Sequence, residues 1–240
     1  MKLGIENLHK QYANKIVIEG ITFEVSQGET LGILGPNGAG KTTLFYMIAG
    51  LINPDSGNLY LGNEVINKES ISKRTSLGLS YLPQESSIFR GLTVEENIFS
   101  SLEQRKDLSP QDRKELLESL LDEFNLSEFS KTQGIKLSGG ERRRTEIARS
   151  LASDPKFILL DEPFAGIDPL AVSDLKQTIQ KLNQKDIGVL ISDHNVRDTM
   201  NICTKVIVVN KGKIIANGNP DDIAQDPTVK EVYLGHNFQS

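Results

Sequence analysis

One stretch of nine residues constrains this chain more than any other. It follows the pattern G-x-x-x-x-G-K-[ST], and its residues are Gly35, Pro36, Asn37, Gly38, Ala39, Gly40, Lys41, Thr42 and Thr43. The glycines allow successive backbone N–H groups to turn inward and form a concave anion site. An apolar run at 30–34 precedes the stretch, and a helix-like run at 44–49 follows it. Because strand, glycine-rich loop and helix come in that order, we predict a phosphate-binding loop rather than a chance turn.

Two side chains of this loop predict how phosphate would be held. Lys41 places a compact positive charge beside the outer phosphates, and Thr42 offers a small hydroxyl that can ligate Mg²⁺. We therefore expect a nucleotide with its metal ion at this loop.

Composition narrows the classes of protein that fit. The net charge of -5 disfavours nucleic acid as the main partner. The densest basic run, Arg142–Arg144, has Glu141 and Glu146 beside it, which favours a helix face with i,i+4 ion pairs over a nucleic-acid patch. A single cysteine, Cys203, excludes an internal disulfide and is typical of a buried structural thiol. No apolar run approaches the ~20 residues that a spanning helix needs, so we expect contact with a membrane only through partners.

Apolar periodicity predicts an α/β fold of one domain, residues 1–240. Capping signals at Thr93 and Ser109 begin helices, and an apolar helical face follows at 116–124. We expect a nucleotide-binding core at about 1–84 and 151–240, an antiparallel β subdomain within it, and a helical subdomain at about 85–150. The predicted strands are 3–8, 17–25, 30–34, a hairpin over 58–66, 77–82, 157–160, 188–192, 206–209 and 213–216.

Two adjacent carboxylates end the apolar strand at 157–160. Asp161 can hold a water of the Mg²⁺ shell, and Glu162 can orient and deprotonate an attacking water. A solvated strand end would explain either carboxylate alone, but it explains both poorly in a chain with an intact phosphate-binding loop.

A second candidate phosphate site lies at 137–141. Ser138 and Glu141 fit a capping box that opens a helix, yet Gly139 and Gly140 weaken its first turn. Bare amides at a helix N-terminus suit close approach to an anion. Two phosphate sites in one chain suggest an active site shared between two chains.

Taken together, these motifs resemble the ATPase subunits of ABC transporters, with Gln84, residues 166–168 and His194 in the family's order. The resemblance implies a P-loop NTPase fold of the ABC type, an ATP- and Mg²⁺-dependent ATPase, and a homodimer. Its implied roles are adenine stacking by Tyr12, contact with the metal and attacking water by Gln84, binding of the opposite subunit's ATP by Ser138, Gly139 and Gly140, interface contact by Asp168, and γ-phosphate contact by His194. For Tyr12, packing on the sheet is the alternative.

A narrower resemblance, carried by residues 81–90, 137–149, 161–169, 193–198 and 232–235, is to the ATPases of lipopolysaccharide export. It implies two membrane subunits that dock near 84–91 with Phe89 and Arg90 as contacts, and a position on the cytoplasmic face of the inner membrane. Lys136 and His236-Asn237 depart from that family's pattern. For Phe89, packing against the helical subdomain is the alternative.

Three other functions stay open at this point. ATPases of branched-chain amino-acid uptake share much of the pattern. A soluble ABC ATPase acting on DNA or ribosomes would usually show a coiled-coil insertion or tandem nucleotide domains. A P-loop kinase would not need the loop at 137–141.

Overall fold

Two sheets organise the computed structural model, which describes residues 1–166 and 169–235. The strands are β1 Lys2–Tyr12, β2 Lys15–Ser26, β3 Thr30–Leu34, β4 Ser56–Leu61, β5 Glu64–Val65, β6 Leu79–Leu82, β7 Phe157–Asp161, β8 Gly188–Ser192, β9 Lys205–Asn210 and β10 Lys213–Gly218. The helices are α1 Lys41–Ala49, α2 Ile71–Ser76, α3 Val94–Leu102, α4 Pro110–Glu123, α5 Gly139–Leu151, α6 Pro169–Gln184, α7 Val196–Met200, α8 Pro220–Gln225 and α9 Pro227–Val229. Short helical turns lie at Ser127–Phe129, Gly134–Lys136 and Lys230–Leu234.

The larger sheet has the order β10-β9-β3-β8-β7-β6, and its strands are parallel except β10. Apolar side chains cover both of its faces, as the uninterrupted apolar run of β7 requires. Phe157 and Leu159 join one buried cluster, whereas Ile158 and Leu160 join another on the opposite face. The first cluster places α1 between this sheet and the antiparallel sheet β2-β1-β4-β5. The predicted α/β fold with an antiparallel sheet and added helices is confirmed.

The parallel strands bring four chain segments to one edge of the sheet. The carboxyl ends of β3, β8, β7 and β6 lie side by side in that order. The segments that follow them contain the phosphate-binding loop, His194, Glu162 and Gln84. Such an edge is where open α/β sheets bind their ligands.

Glycine is required at both ends of the phosphate-binding loop. Gly35 has a φ of +148°, and a Cβ there would lie 2.0 Å from the Val209 carbonyl oxygen. Gly40 has a φ of +109°, and its Cβ would lie 2.7 Å from the Val17 carbonyl oxygen. The first glycine of the loop therefore contacts β9, and the last contacts β2 of the antiparallel sheet. Neither position has room for a side chain.

Some details differ from the sequence-based expectations. The strand expected over 77–82 begins at Leu79, because Leu77 ends helix α2 and Gly78 turns with a φ of +98°. Helix α2 itself was not predicted. The expected helical subdomain contains α3, α4 and most of α5, but its bounds stay a prediction, since these helices share one apolar cluster with Leu82 and Ile158 of the sheet. Among the described residues, no helix combines the length and apolar character needed to cross a bilayer.

A fully buried arginine explains why α2 forms where it does. Arg74 is 0% exposed, and its guanidinium donates to the carbonyl oxygens of Met47 and Ile48, at 2.6 Å each, in the last turn of α1. It also donates to the carbonyl oxygens of Asn67 and Glu69. The positive charge thus satisfies orphan carbonyls and the negative end of the helix dipole. Burial lowers the pKa of Arg74 to about 10, so the side chain keeps its charge.

We expect Arg74→Met to lower the free energy of unfolding by about 3 kcal/mol, because it removes the guanidinium donor from four carbonyl oxygens, of which those of Met47 and Ile48 are buried. Urea unfolding followed by circular dichroism measures the effect. Lys73→Met, at an exposed neighbour on the same helix, is the matched control and should change stability by less than about 0.5 kcal/mol. Equal effects of the two substitutions would contradict the assigned role.

Candidate active site

Helix α1 begins at Lys41, directly after the phosphate-binding loop at 35–40. The Lys41 ammonium donates to the carbonyl oxygens of Gly35 at 2.6 Å and Pro36 at 3.1 Å. Burial lowers the pKa of Lys41, while the nearby carboxylates of Glu162, Asp161 and Asp193 oppose that shift. The loop thus binds the Lys41 ammonium group through its own carbonyl oxygens. Of the other loop residues, Asn37, Gly38 and Thr42 are exposed, Pro36 and Thr43 are half-buried, and Ala39 is buried.

Two predicted site residues converge on one carboxylate oxygen of a third. Gln84 Nε2 donates to Glu162 Oε2 at 2.9 Å, and His194 Nδ1 lies 3.4 Å from the same oxygen. The backbone of Glu162 has a φ of +43°, a left-handed conformation that is uncommon for this residue type. Its N–H donates to the Ser192 carbonyl oxygen at 2.6 Å, which fixes the turn after β7. The carboxylate is 28% exposed, so it is open to a water while its orientation is held by neighbours.

Asp161 lies in a different environment from its neighbour in sequence. It is 5% exposed, and its Oδ2 accepts a hydrogen bond from the Tyr81 hydroxyl at 3.2 Å. Burial raises the pKa of Asp161 from 3.8 to about 6. Tyr81 in turn packs edge-on against Tyr46, with ring centroids 6.4 Å apart. Tyr81 was not predicted as a site residue, because its role depends on strand β6 lying beside β7.

Asp193 is a second residue that the sequence interpretation missed. Its side chain is 0% exposed and accepts the backbone N–H groups of Phe164 at 2.9 Å and Asn195 at 2.8 Å. Burial raises the pKa of its carboxyl group. Asp193 therefore ties the turn after Glu162 to the segment that carries His194. A signal was present: like Asp161, it lies at the carboxyl end of a buried, mainly apolar strand.

The oxygen ligands at this edge of the sheet fit a Mg²⁺ ion bound together with ATP. The available ligands are the Thr42 hydroxyl, the Gln84 amide oxygen and the Asp161 carboxylate, and Mg²⁺ prefers such oxygen ligands. Few protein ligands suffice, since Mg²⁺ keeps several waters and binds substrate phosphates in nucleotide sites. The raised pKa of buried Asp161 marks a position where a cation would relieve the desolvated charge.

Helix α5 begins with the capping box expected from the sequence. Ser138 Oγ accepts the Glu141 N–H at 3.3 Å, and Glu141 Oε2 accepts the Ser138 N–H at 2.8 Å. Gly139 lines a cavity of about 220 Å³ together with Gln84 and Glu162. Ser138 is exposed, as is Gly139, and Gly140 is half-buried. These groups are accessible to a ligand, but the binding roles of Ser138, Gly139 and Gly140 stay predictions.

The arginine run of α5 corrects one expectation. The expected helix face with i,i+4 ion pairs is wrong, because Arg143 pairs with Glu146 at i,i+3, and the two residues are 9% and 3% exposed. Arg143 Nη1 lies 3.2 Å from Glu146 Oε2. Arg144 reaches Asp174 of α6 at 3.9 Å. Charged residues of this helix thus point into the protein as well as away from it.

The remaining predicted residues are Tyr12, Phe89, Arg90 and Asp168. Tyr12 is 48% exposed, with Lys10 Nζ 5.4 Å from its ring centroid, and its contact with adenine stays a prediction. Phe89 is 50% exposed, and the carbonyl oxygen of neighbouring Arg90 accepts the N–H of Ile135. Asp168 lies outside the described residues.

Comparisons with known proteins agree with this geometry. A family profile described as "ABC transporter" matches residues 18–165, and one described as "Branched-chain amino acid ATP-binding cassette transporter" matches residues 213–239. The lipopolysaccharide export system ATP-binding protein LptB of Haemophilus influenzae is 52% identical over 99% of this chain and 98% of its own length. The protein of that name from Escherichia coli strain K12 is 48% identical over the same shares. The crystal structure of an ATP-binding cassette of an ABC transporter in its ADP conformation superposes with a TM-score of 0.86 at 30% identity, covering 98% of this chain and 99% of that one.

We expect Asp161→Asn to stabilise the nucleotide-free protein. The pKa of about 6 in the folded state lies above 3.8, so the unfolded chain binds fewer protons between these values and stability falls as the pH rises through them. Removing the buried charge should raise the free energy of unfolding near pH 7 by about 2 kcal/mol. The gain should shrink near pH 4, where the folded wild type is already protonated.

Urea unfolding at both pH values measures this gain. Asp154→Asn, at an exposed carboxylate paired with Lys156, is the matched control and should leave stability nearly unchanged. A variant that is less stable than the wild type near pH 7 would contradict the assigned cost of burying Asp161.

Proposed function

This chain belongs to the ABC transporter family of ATP-binding proteins, and from that membership we propose that it is the ATP-hydrolysing subunit of a lipopolysaccharide exporter. The observation that carries ATP hydrolysis is the convergence of Gln84 and His194 on one oxygen of Glu162 beside the phosphate-binding loop. The transported substrate rests on relatives of that name at 48–52% identity along nearly the whole chain.

The proposed chemistry is in-line attack of water on the γ-phosphate of ATP, which breaks the bond from the γ-phosphorus to the bridging oxygen and releases ADP and phosphate. Glu162 accepts the proton of the water, and Gln84 and His194 orient it. Lys41 neutralises charge on the outer phosphates, and Tyr12 stacks on adenine. Mg²⁺, held by Thr42, Gln84 and Asp161, would neutralise the phosphate oxygens when bound. Positioning and electrostatics supply most of the catalysis in such a phosphoryl transfer.

Two copies of the chain would complete two sites. In this proposal each phosphate-binding loop faces Ser138, Gly139 and Gly140 of the other copy, and Asp168 lies across the interface. The support within the chain is that Ser138 and Gly139 are exposed and Gly140 is half-buried at the start of α5. A closed dimer bound to ATP and an open one after hydrolysis would differ in free energy, and that difference would move the membrane subunits.

An exposed apolar surface fits the proposed membrane subunits. Phe89, Leu92 and Ile135 are 50%, 38% and 66% exposed. Backbone hydrogen bonds from Gly134 to Leu92 and from Ile135 to Arg90 hold the two loops together. Fully buried Asn97 accepts the N–H of Phe89 and donates to its carbonyl oxygen, so the backbone is fixed while the ring stays accessible.

Such a preorganised aromatic, with Arg90 beside it, is typical of an interface anchor. We assign the docking surface to 84–91 together with Leu92 and Ile135, and its occupants to short cytoplasmic helices of two membrane subunits. The chain would then lie on the cytoplasmic face of the inner membrane through these partners alone.

A second candidate substrate is favoured by one observation. Residues 213–239 match the branched-chain amino-acid transporter profile, which makes an amino-acid importer the alternative. Purifying the tagged chain with its membrane partners and reconstituting them in vesicles separates the two. ATP-dependent release of lipopolysaccharide supports export, whereas ATP-dependent amino-acid uptake would overturn it.

The shared site predicts a dimer that ATP traps. Glu162→Gln keeps the side chain's shape but makes a very poor proton acceptor, so turnover should fall at least about a hundredfold and the ATP-bound dimer should persist. Adding Ser138→Asp to this variant keeps an N-cap acceptor but places a negative charge against the phosphates. Gel filtration with ATP and Mg²⁺ should show a dimer for the single variant and a monomer for the double one. A persistent dimer in the double variant would count against the shared site.

Docking predicts that Phe89→Ala weakens the complex with the membrane subunits at least tenfold, since an anchor of about 2 kcal/mol exceeds a decade in affinity. Pull-down of the subunits measures binding. The ATPase rate of the isolated variant shows whether the chain is still folded and active. Val65→Ala removes a side chain of similar exposure, 54%, from the antiparallel sheet and is the control. Normal assembly of Phe89→Ala would refute the docking assignment.

A further inference from the structure

A buried carboxylate on α5 holds the turn at 84–89. Glu146 is 3% exposed, and its Oε1 accepts three hydrogen bonds from this turn. The donors are the Ser86 hydroxyl at 2.8 Å, the Ser87 N–H at 2.7 Å and the Ile88 N–H at 3.2 Å. Two successive backbone amides are thus fixed by one side chain that lies about sixty positions further along the chain.

Two arginines of the same helix extend this hold. Arg143 pairs with Glu146 Oε2 and donates to the Pro83 carbonyl oxygen at 3.2 Å. Arg149 donates to the carbonyl oxygen and the hydroxyl of Ser87, at 2.9 and 2.7 Å. Its guanidinium also lies 4.8 Å from the centre of the Phe89 ring, within cation–π distance. Helix α5 therefore contacts the chain before Gln84, after it, and at the exposed aromatic.

The position of α5 gives these contacts a consequence beyond stability. The helix begins at Ser138, whereas the turn that it holds carries Gln84, the donor to Glu162. We propose that Glu146 is a positioning residue that joins α5 and the turn at 84–89 into one unit. A displacement of Phe89 is then transmitted to Ser138 and to the contact between Gln84 and Glu162. The direction of this transmission rests on the proposed function, but the mechanical joint does not.

The chemistry of the joint requires a carboxylate. Glutamine at this position keeps the volume, but it has a single acceptor oxygen, and its Nε2 would face the Arg143 guanidinium as donor against donor. Buried Arg143 would also lose its negative partner. Glu146→Gln therefore disrupts the joint with the least change in shape.

Amide hydrogen exchange on the nucleotide-free chain tests the joint directly. In Glu146→Gln the amides of Ser87 and Ile88 should exchange at least about tenfold faster, while those of α1 are unchanged. Asp174→Asn is the matched control, since it removes a carboxylate that pairs with Arg144 on the same helix but does not touch the turn. Unchanged exchange at 87 and 88 overturns the proposal. So does an equal increase in the control, which would indicate general loosening of the helix.

Two further readouts separate positioning from mere support of the fold. Glu146→Gln should lower kcat at least about fivefold and leave KM within about twofold, because the phosphate-binding loop is untouched.

The second readout is hydrogen exchange with ATP bound. In a Glu162→Gln background, ATP should slow amide exchange at 137–141 and at 86–90 together, and adding Glu146→Gln should abolish only the slowing at 86–90. Retained protection at 86–90 contradicts the proposal. If ATP gives no protection at 137–141 even without Glu146→Gln, the shared site fails, and the nucleotide-free comparison still decides the joint.

Discussion

The parallel strands β3, β8, β7 and β6 end side by side, and this alignment decides where each charged group of the candidate site lies. Neighbouring strands are about 4.8 Å apart, so the first residues beyond their ends come within hydrogen-bonding reach of one another. Lys41, Glu162 and Gln84, which are far apart in the chain, meet for that reason. The loops that follow the strands carry the reactive side chains, and the buried strands fix the positions of these loops.

The same edge concentrates charge in a desolvated place. Burial raises the pKa values of Asp161 and Asp193 and lowers the pKa of Lys41, so each group is less stable there as an ion than it would be in water. Glu162 adds a left-handed backbone at the end of β7. These features cost stability and concentrate where nucleotide and metal ion would bind, as is common for sites that trade stability for activity.

Helix α5 links the site to the protein's surface. Its first turn contains exposed Gly139, and its middle places Glu146 against the turn after Gln84. Near its C-terminal end, the Arg149 guanidinium contacts the exposed Phe89 ring. A single rigid element thus touches both the region of hydrolysis and the proposed docking surface, and this arrangement suits an ATPase that drives other subunits.

The sequence by itself determined the features that depend on residues close together in the chain. The phosphate-binding loop, the capping boxes at Thr93, Ser109 and Ser138, and the carboxylates after β7 all follow local rules. Together with the family resemblance, they were enough to predict the fold class and the convergence of Gln84, Glu162 and His194 at one site.

Only the tertiary structure decided which charged residues are buried and what they hold. Arg74, Arg143 and Glu146 are residue types that usually lie on the surface. Nothing within a few residues of them in the sequence reveals the distant carbonyl and amide groups that they bind. The order that places β8 between β3 and β7 is equally invisible locally, although it brings Asp193 to the site. The physical reason is that burial is a property of contacts between distant segments, and these contacts exist only once the chain has folded.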